Sequence, residues 1–175
     1  MFDVGNYVIY RNEGVCEVSD IREETFGAVG RSETYYILTP LSSKGATIFV
    51  PLNNETLVSY MKPVLSASQI NGLAEKLRDS RIDLTCDVRE KNNRFKEILS
   101  LCDTEELIAL VNTLSERIAD AEMSGKKPLS TELNSLRRAE KILFDQFSPT
   151  TDIASPQDIL PLLSGKIKVE SKSRT

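Results

Sequence analysis

Two pairs of adjacent carboxylates, Glu23-Glu24 and Glu105-Glu106, are the side chains best suited to acid–base chemistry. Neighbouring residues on a strand point to opposite faces, so the first pair cannot share a proton as a catalytic dyad. The second pair lies in the first turn of a predicted helix, where negative charge complements the helix dipole. We therefore interpret both pairs as structural.

The sequence of 175 residues contains no histidine, which removes the commonest general base and the commonest metal ligand. The cysteines Cys16, Cys86 and Cys102 are odd in number and too widely spaced for a CxxC metal site. We interpret them as small buried apolar residues. The glycines of residues 27–30 do not join a strand to a helix as a phosphate loop would, so they predict a hairpin tip. We expect neither an enzyme nor a bound cofactor or metal.

The composition is that of an ordinary globular protein, with 40% hydrophobic and 27% charged residues and a net charge of −4. The overall charge does not favour strong nucleic-acid binding, so any DNA contact must come from a local cluster. No apolar run approaches the roughly 20 residues that span a bilayer, and the N-terminus lacks the pattern of a secretory signal. These features predict a cytoplasmic protein without a membrane partner or a small-molecule substrate.

The chain changes character near residue 65, from short strands to helices. Glycines, prolines and polar turns separate five predicted strands at residues 6–11, 15–21, 33–39, 46–50 and 57–61, with a loop or flared hairpin over residues 22–30. Short strands at this spacing indicate a small, strongly bent β-barrel.

Capping patterns mark the starts of the helices that follow. Ser66 with Gln69, Asp87 with Glu90 and Asp103 with Glu106 each precede an apolar stripe of helical period. Further helices are predicted from Ser130 and from Ser155-Pro156. The sequence thus predicts an α+β protein with a β domain over residues 1–65, a helical domain of four to five helices over residues 66–165, and a polar tail over residues 166–175 that frays from Val169 onward.

Lysines and arginines concentrate between Lys76 and Lys96, interleaved with carboxylates. One interpretation is a solvated face with ion pairs within the helices. The other is phosphate binding, because Arg89 and Lys96 lie two turns apart on one face of the second predicted helix. A smaller cluster, Arg137, Arg138 and Lys141, lies on the fourth helix, and two such helices could straddle a phosphate backbone.

Several segments resemble the CarD/CdnL group of bacterial transcription factors. They are the opening F-x-V-G-x-Y-V-I-Y-x-x-x-G-V and residues 35–38, 47–51, 94–99 and 129–143, so the resemblance covers residues 2–147. The first module is also similar to the polymerase-interacting module of transcription-repair coupling factors. The chain lacks the ATP-binding loop that such a coupling factor would need.

The resemblance implies a Tudor-like, five-stranded N-terminal barrel that binds the RNA polymerase β subunit along an edge strand and a neighbouring loop. It also implies a helical domain that contacts promoter DNA at the upstream edge of the transcription bubble and modulates open-complex stability. The positions implied for polymerase contact are Arg22, Glu24, Thr47, Ile48 and Phe49. The positions implied for DNA contact are Leu84, Arg89, Lys91, Arg94, Lys96, Arg137 and Arg138.

The chain departs from this group in containing no tryptophan. Many relatives place a tryptophan at the start of the second C-terminal helix, where it enters the minor groove. Leu84 and Val88 are the apolar candidates for that role here, although Leu84 could equally be a core residue. The alternative function is a non-enzymatic protein-interaction adaptor that makes no DNA contact.

Overall fold

The computed structural model describes residues 1–25, 32–43, 45–85 and 87–172. The hairpin tip predicted at residues 27–30, and Cys86, lie outside the described residues. The chain divides into two compact units, Met1–Val64 and Leu65–Thr175. In their described parts, the first unit contains an antiparallel sheet, a 3₁₀ turn at Arg11–Glu13 and one short α-helix, and the second contains five α-helices. The α+β prediction is confirmed.

The sheet of the first unit has five antiparallel strands in the order β4-β3-β2-β1-β5. Their bounds are β1 Tyr7–Tyr10, β2 Val15–Thr25, β3 Ser32–Pro40, β4 Ile48–Pro51 and β5 Met61–Pro63. A bulge between Val18 and Asp20 interrupts the long β2–β3 pairing and bends the sheet locally. Among the described residues β4 and β5 each pair with one strand, so closure into a barrel stays a prediction.

One face of the sheet forms the core of the first unit. Alternating residues point to that face, as the period of two requires. Five of its side chains are completely inaccessible to solvent: Val8, Cys16, Val18, Leu38 and Val50. This core therefore fixes the register of the strands and, with it, the residues that face outward.

The strand predicted at residues 57–61 is wrong. Residues Glu55–Ser59 form a short helix, α1, and the last strand begins only at Met61. The Asn54 side chain caps α1 by accepting a hydrogen bond of 3.1 Å from the Leu57 amide. The valine and tyrosine of this segment favour a strand, but the cap and the packing of Leu57 against the sheet core stabilise a helical turn instead.

The second unit contains the helices α2 Ala67–Lys76, α3 Val88–Leu101, α4 Thr104–Met123, α5 Ser130–Phe147 and α6 Ile159–Leu163. The predicted caps of the first three are confirmed. Ser66 accepts a hydrogen bond from the Gln69 amide, Asp87 from the Glu90 amide, and Asp103 from the amides of Glu105 and Glu106. A 3₁₀ turn from Pro156 to Asp158 precedes α6.

Helix α4 lies at the centre of this unit and contacts α3, α5 and α6. Gln146 of α5 is 1% exposed and holds the α3–α4 connection in place. Its amide nitrogen donates to the Cys102 carbonyl at 2.9 Å, and its amide oxygen accepts from the Thr104 hydroxyl at 2.8 Å. Cys102 ends α3 in the left-handed conformation, with φ of 53°. The turn thus depends on a residue more than forty positions away.

The fraying predicted from Val169 onward is wrong as far as Lys172. Residues 165–172, which we name the C-terminal strap, follow α6 and pack back onto the helical unit. Val169 is 4% exposed, and Ser171 forms an antiparallel bridge with Thr151. The strap is ordered because several of its backbone groups form hydrogen bonds with the helical unit and the Val169 side chain is buried. In the described part of the chain no helix is both long and apolar enough to cross a bilayer.

Candidate functional site

The face of the sheet opposite the core carries several of the residues predicted to contact a partner. Asp20 of β2 pairs with Ile37 of β3, and Ile37 pairs with Phe49 of β4. Directly opposed residues of antiparallel strands point to the same face. Arg22 and Tyr35, two residues further along their strands, therefore lie on that face too. We name this surface of β2, β3 and β4 the outer face.

An aromatic pair lies at the β4 side of the outer face. The ring of Phe49 meets Tyr35 edge to face, with 6.2 Å between the ring centroids. Phe49 remains 37% exposed, whereas Ile37 on the same face is 5% exposed. The prediction from sequence included Phe49 and missed Tyr35, although alternation along residues 33–39 is the signal that could have placed Tyr35 on this surface. The pair offers a partner an apolar contact at the edge of the sheet.

A charged row lies beside the aromatic pair. The Arg22 guanidinium donates to Glu24 at 2.6 Å and to Asp20 at 3.1 Å, and the hydrogen bond to Glu24 is the main cause that raises the pKa of Arg22. Glu33 pairs directly with Glu24 across the strands. The single cation of this row is thus outnumbered by carboxylates, and the surface is acidic despite its arginine.

Strand β4 forms one edge of the sheet, and its outer side pairs with no other strand among the described residues. Thr47, just before β4, is exposed. Ile48 points the other way and packs against the core of the first unit. Of the residues predicted for polymerase contact, Arg22, Glu24 and Phe49 thus share the outer face, whereas Ile48 supports the strand from behind.

The cations of helix α3 differ in whether they form ion pairs. Arg89 and Lys96 are exposed and form no ion pair with any described residue. Arg94 instead pairs with Glu97 at 2.9 Å and with Glu106 of α4 at 2.8 Å, and the hydrogen bond to Glu97 is the main cause that raises its pKa. Of the four predicted cations on α3, Arg89, Lys91 and Lys96 thus form no ion pair with any described residue, whereas Arg94 joins α3 to α4.

The remaining residues predicted for DNA contact lie in different surroundings. Leu84 packs against the core of the helical unit, whereas Val88, the first residue of α3, is 68% exposed. Lys91 is half-buried on α3. Arg137 and Arg138 are both exposed on α5, which packs against α3. Val88 is thus the accessible apolar side chain at the start of this helix, and Leu84 has the structural role that was its alternative.

The described cysteines are buried, and we predict that they are unreactive. Burial raises the pKa of the Cys16 thiol to about 11, with Glu13 adding to the increase, and burial also raises the pKa of Cys102. In a Cys86→Ser variant at pH 7.5, a chromogenic disulfide reagent should label neither thiol until the protein is denatured. Rapid labelling of the folded protein would contradict this.

The buried Cys16 thiol should also make the free energy of unfolding fall as pH rises from about 9 through 11. The reason is that the folded state disfavours the thiolate, which the unfolded chain forms at lower pH.

An antiparallel sheet with an edge strand that has one partner among its described residues, and with an aromatic pair beside it, offers a surface on which a further strand can pair. Residues 2–64 match the family model described as the CarD-like/TRCF RID domain, where RID denotes the RNA polymerase-interacting domain. The match confirms the resemblance predicted for the N-terminal residues. It points to interaction with RNA polymerase in transcription. No curated protein matches the chain.

Proposed function

We propose that this protein is a transcription regulator that binds the β subunit of RNA polymerase through its N-terminal sheet and contacts promoter DNA through its helical unit. The observation that carries the proposal is the edge of β4, which pairs with no second strand among the described residues, with Phe49 and Tyr35 beside it, inside the segment that matches the polymerase-interacting domain family. The protein acts in the cytoplasm by binding alone and requires no cofactor.

The sheet docks by adding a strand of the polymerase to β4. Such a strand lies along the side of β4, Ile48–Pro51, that faces away from β3 and pairs with no other strand of the described residues. Phe49 supplies the apolar contact, and the row of Asp20, Arg22 and Glu24 favours a basic neighbour on the polymerase. We infer a Tudor-like closure of the sheet, which the bulge after Val18 supports by bending β2.

The helical unit meets DNA only while the sheet holds it on the polymerase. A protein with a net charge of −4 binds free DNA weakly, because affinity follows the number of phosphates that it neutralises. Tethering raises the effective DNA concentration to the order of millimolar, at which a few cations suffice. Arg89 and Lys96 supply those cations from α3, Arg137 and Arg138 add charge from α5, and exposed Val88 can enter the groove at the start of α3.

Contacts to DNA change promoter melting only where they distinguish the open complex from the closed one. A cation on α3 that reaches a phosphate exposed in the melted promoter shifts the population toward that state. An apolar side chain between unstacked bases at the bubble edge does the same. The protein therefore changes the stability of the open complex. The size of this change is set by the difference between its free energies of binding to the open and to the closed complex.

The first experiment measures binding of the chain to the purified polymerase β subunit, which the proposal expects at micromolar concentrations or below. Lack of binding in this range would refute the docking function. A second candidate, an adaptor without DNA contact, gains support from Arg94, whose charge is used within the helical unit. Binding to polymerase alone does not separate the two.

The double variant Arg89→Glu/Lys96→Glu separates them. It should reduce the effect of the protein on open-complex lifetime several-fold and lower the salt-dependence slope of DNA association by about 2, one for each lost phosphate contact. Lys126→Glu/Lys127→Glu is the matched control, since it changes the net charge equally at exposed positions beyond α4. An unchanged open-complex lifetime with Arg89→Glu/Lys96→Glu would favour the adaptor.

A further inference from the structure

The C-terminal strap is held in one path by three sets of backbone hydrogen bonds. The Lys166 amide donates to the Pro161 carbonyl at 2.9 Å and closes the end of α6. The Asn71 amide group donates to the Val169 carbonyl at 2.8 Å and accepts from the Val169 amide at 3.0 Å. Beyond Val169, the Lys172 amide donates to the Thr150 carbonyl at 3.1 Å. The strap is thus ordered before any partner arrives.

The ordered strap places two of its lysines on the protein surface. Lys166 and Lys168 both precede buried Val169 in the strap, and both are exposed. The Arg78 guanidinium lies directly over Gly165, so closely that a Cβ at residue 165 would overlap it. We name Arg78, Lys166 and Lys168 the strap cations. They come from two segments that are distant in sequence, so only the fold brings Arg78 beside the start of the strap.

The strap cations form no ion pair with any carboxylate in the described part of the chain. Asp152, the carboxylate bound to the strap, accepts a hydrogen bond of 2.8 Å from the Glu170 amide and so serves the backbone. Elsewhere in the helical unit, arginines such as Arg81 and Arg117 are paired with glutamates. Bringing cations together without counter-charges costs free energy that an anionic ligand would recover.

We propose that the strap cations form a second surface for the phosphate backbone of duplex DNA, an inference that rests on the DNA contact of the proposed function. Lysine ammonium groups act as point charges suited to phosphate, and the strap offers no aromatic platform or pocket for a base. The contact is therefore independent of sequence. Because the strap is already ordered, binding costs little backbone entropy.

The test uses the full chain bound to polymerase on a fluorescently labelled promoter duplex. Lys166→Glu/Lys168→Glu should weaken association of the tethered protein with DNA several-fold and lower its salt-dependence slope by about 2. Lys126→Glu/Lys127→Glu is again the control, since both lysine pairs are exposed and follow a glycine that ends a helix. Polymerase binding without DNA should stay unchanged in both variants.

A second variant tests whether DNA association depends on the ordered path of the strap as well as on its charge. Asn71→Leu keeps every cation but removes both hydrogen bonds to Val169, so it should weaken DNA association while the net charge is constant. Normal association by both strap variants overturns the inference, as does an equal loss in the control. A loss of polymerase binding without DNA would assign the strap to an acidic protein surface and also overturn it. If Arg89→Glu/Lys96→Glu weakens association while the strap variants do not, the strap inference fails and the proposed function stands.

Discussion

Phe49→Arg is expected to weaken binding to RNA polymerase by about tenfold or more, as loss of an aromatic anchor at the centre of an interface does. The substitution removes the ring that meets Tyr35 at the open edge and places a charge where the partner is expected to bring apolar atoms. Because Phe49 is 37% exposed, the free energy of unfolding should change little. Titration against the β subunit, with thermal unfolding in parallel, measures both quantities.

Tyr7→Arg is the matched control for this prediction. Tyr7 is an aromatic residue that is 40% exposed and lies on β1, three strands away from β4. Its substitution should leave polymerase binding intact, whereas Thr47→Arg, next to the edge, should weaken it. If Phe49→Arg instead lowers thermal stability as much as it lowers affinity, Phe49 belongs to the structural core and the docking surface lies elsewhere.

Gln146→Leu is expected to lower the free energy of unfolding of the helical unit by about 2 to 4 kcal/mol, because each buried polar group that loses its partner costs roughly 1 to 3 kcal/mol. The substitution nearly conserves volume, but it leaves the Cys102 carbonyl and the Thr104 hydroxyl without the amide that now satisfies them. Chemical denaturation followed by far-ultraviolet circular dichroism measures the change.

Gln157→Leu makes the same substitution at an exposed position in the 3₁₀ turn before α6, and it should change stability by less than about 0.5 kcal/mol. A similar small effect for Gln146→Leu would show that the α3–α4 turn tolerates other hydrogen-bond partners, water included. The comparison isolates the buried amide network, since both variants remove one glutamine amide and add one leucine.

The helices were predictable because their signals are local. Caps such as Ser66 and Asp87 lie within three residues of the amides that they bind, and an apolar stripe follows each one. The short helix α1 was missed because its valine and tyrosine favour strands, while the deciding contributions are the Asn54 cap and packing against the sheet. The C-terminal strap was missed because polar residues gave no sign that Asn71, far earlier in the chain, would bind its backbone.

The candidate site was predictable by position but not by arrangement. Alternation along the predicted strand places Ile48 and Phe49 on opposite faces, but only the fold shows that Phe49 is the one on the outer face. Arg94 was predicted to contact DNA together with Arg89, but Glu106 on the next helix binds it. Such pairings depend on how elements pack, which helical periodicity within one element does not report.

The hydrogen bonds between Asn71 and Val169 join residues that are 98 positions apart. During synthesis, the two hydrogen bonds that fasten the strap to α2 therefore cannot form until residue 169 has left the ribosome. The N-terminal unit ends at Val64 and depends on no such distant partner for its sheet. Because domains generally fold in the order of their synthesis, the docking sheet should be complete while the helical unit is still being made. The sheet that we propose binds polymerase is thus complete before the helical surface that we propose contacts DNA.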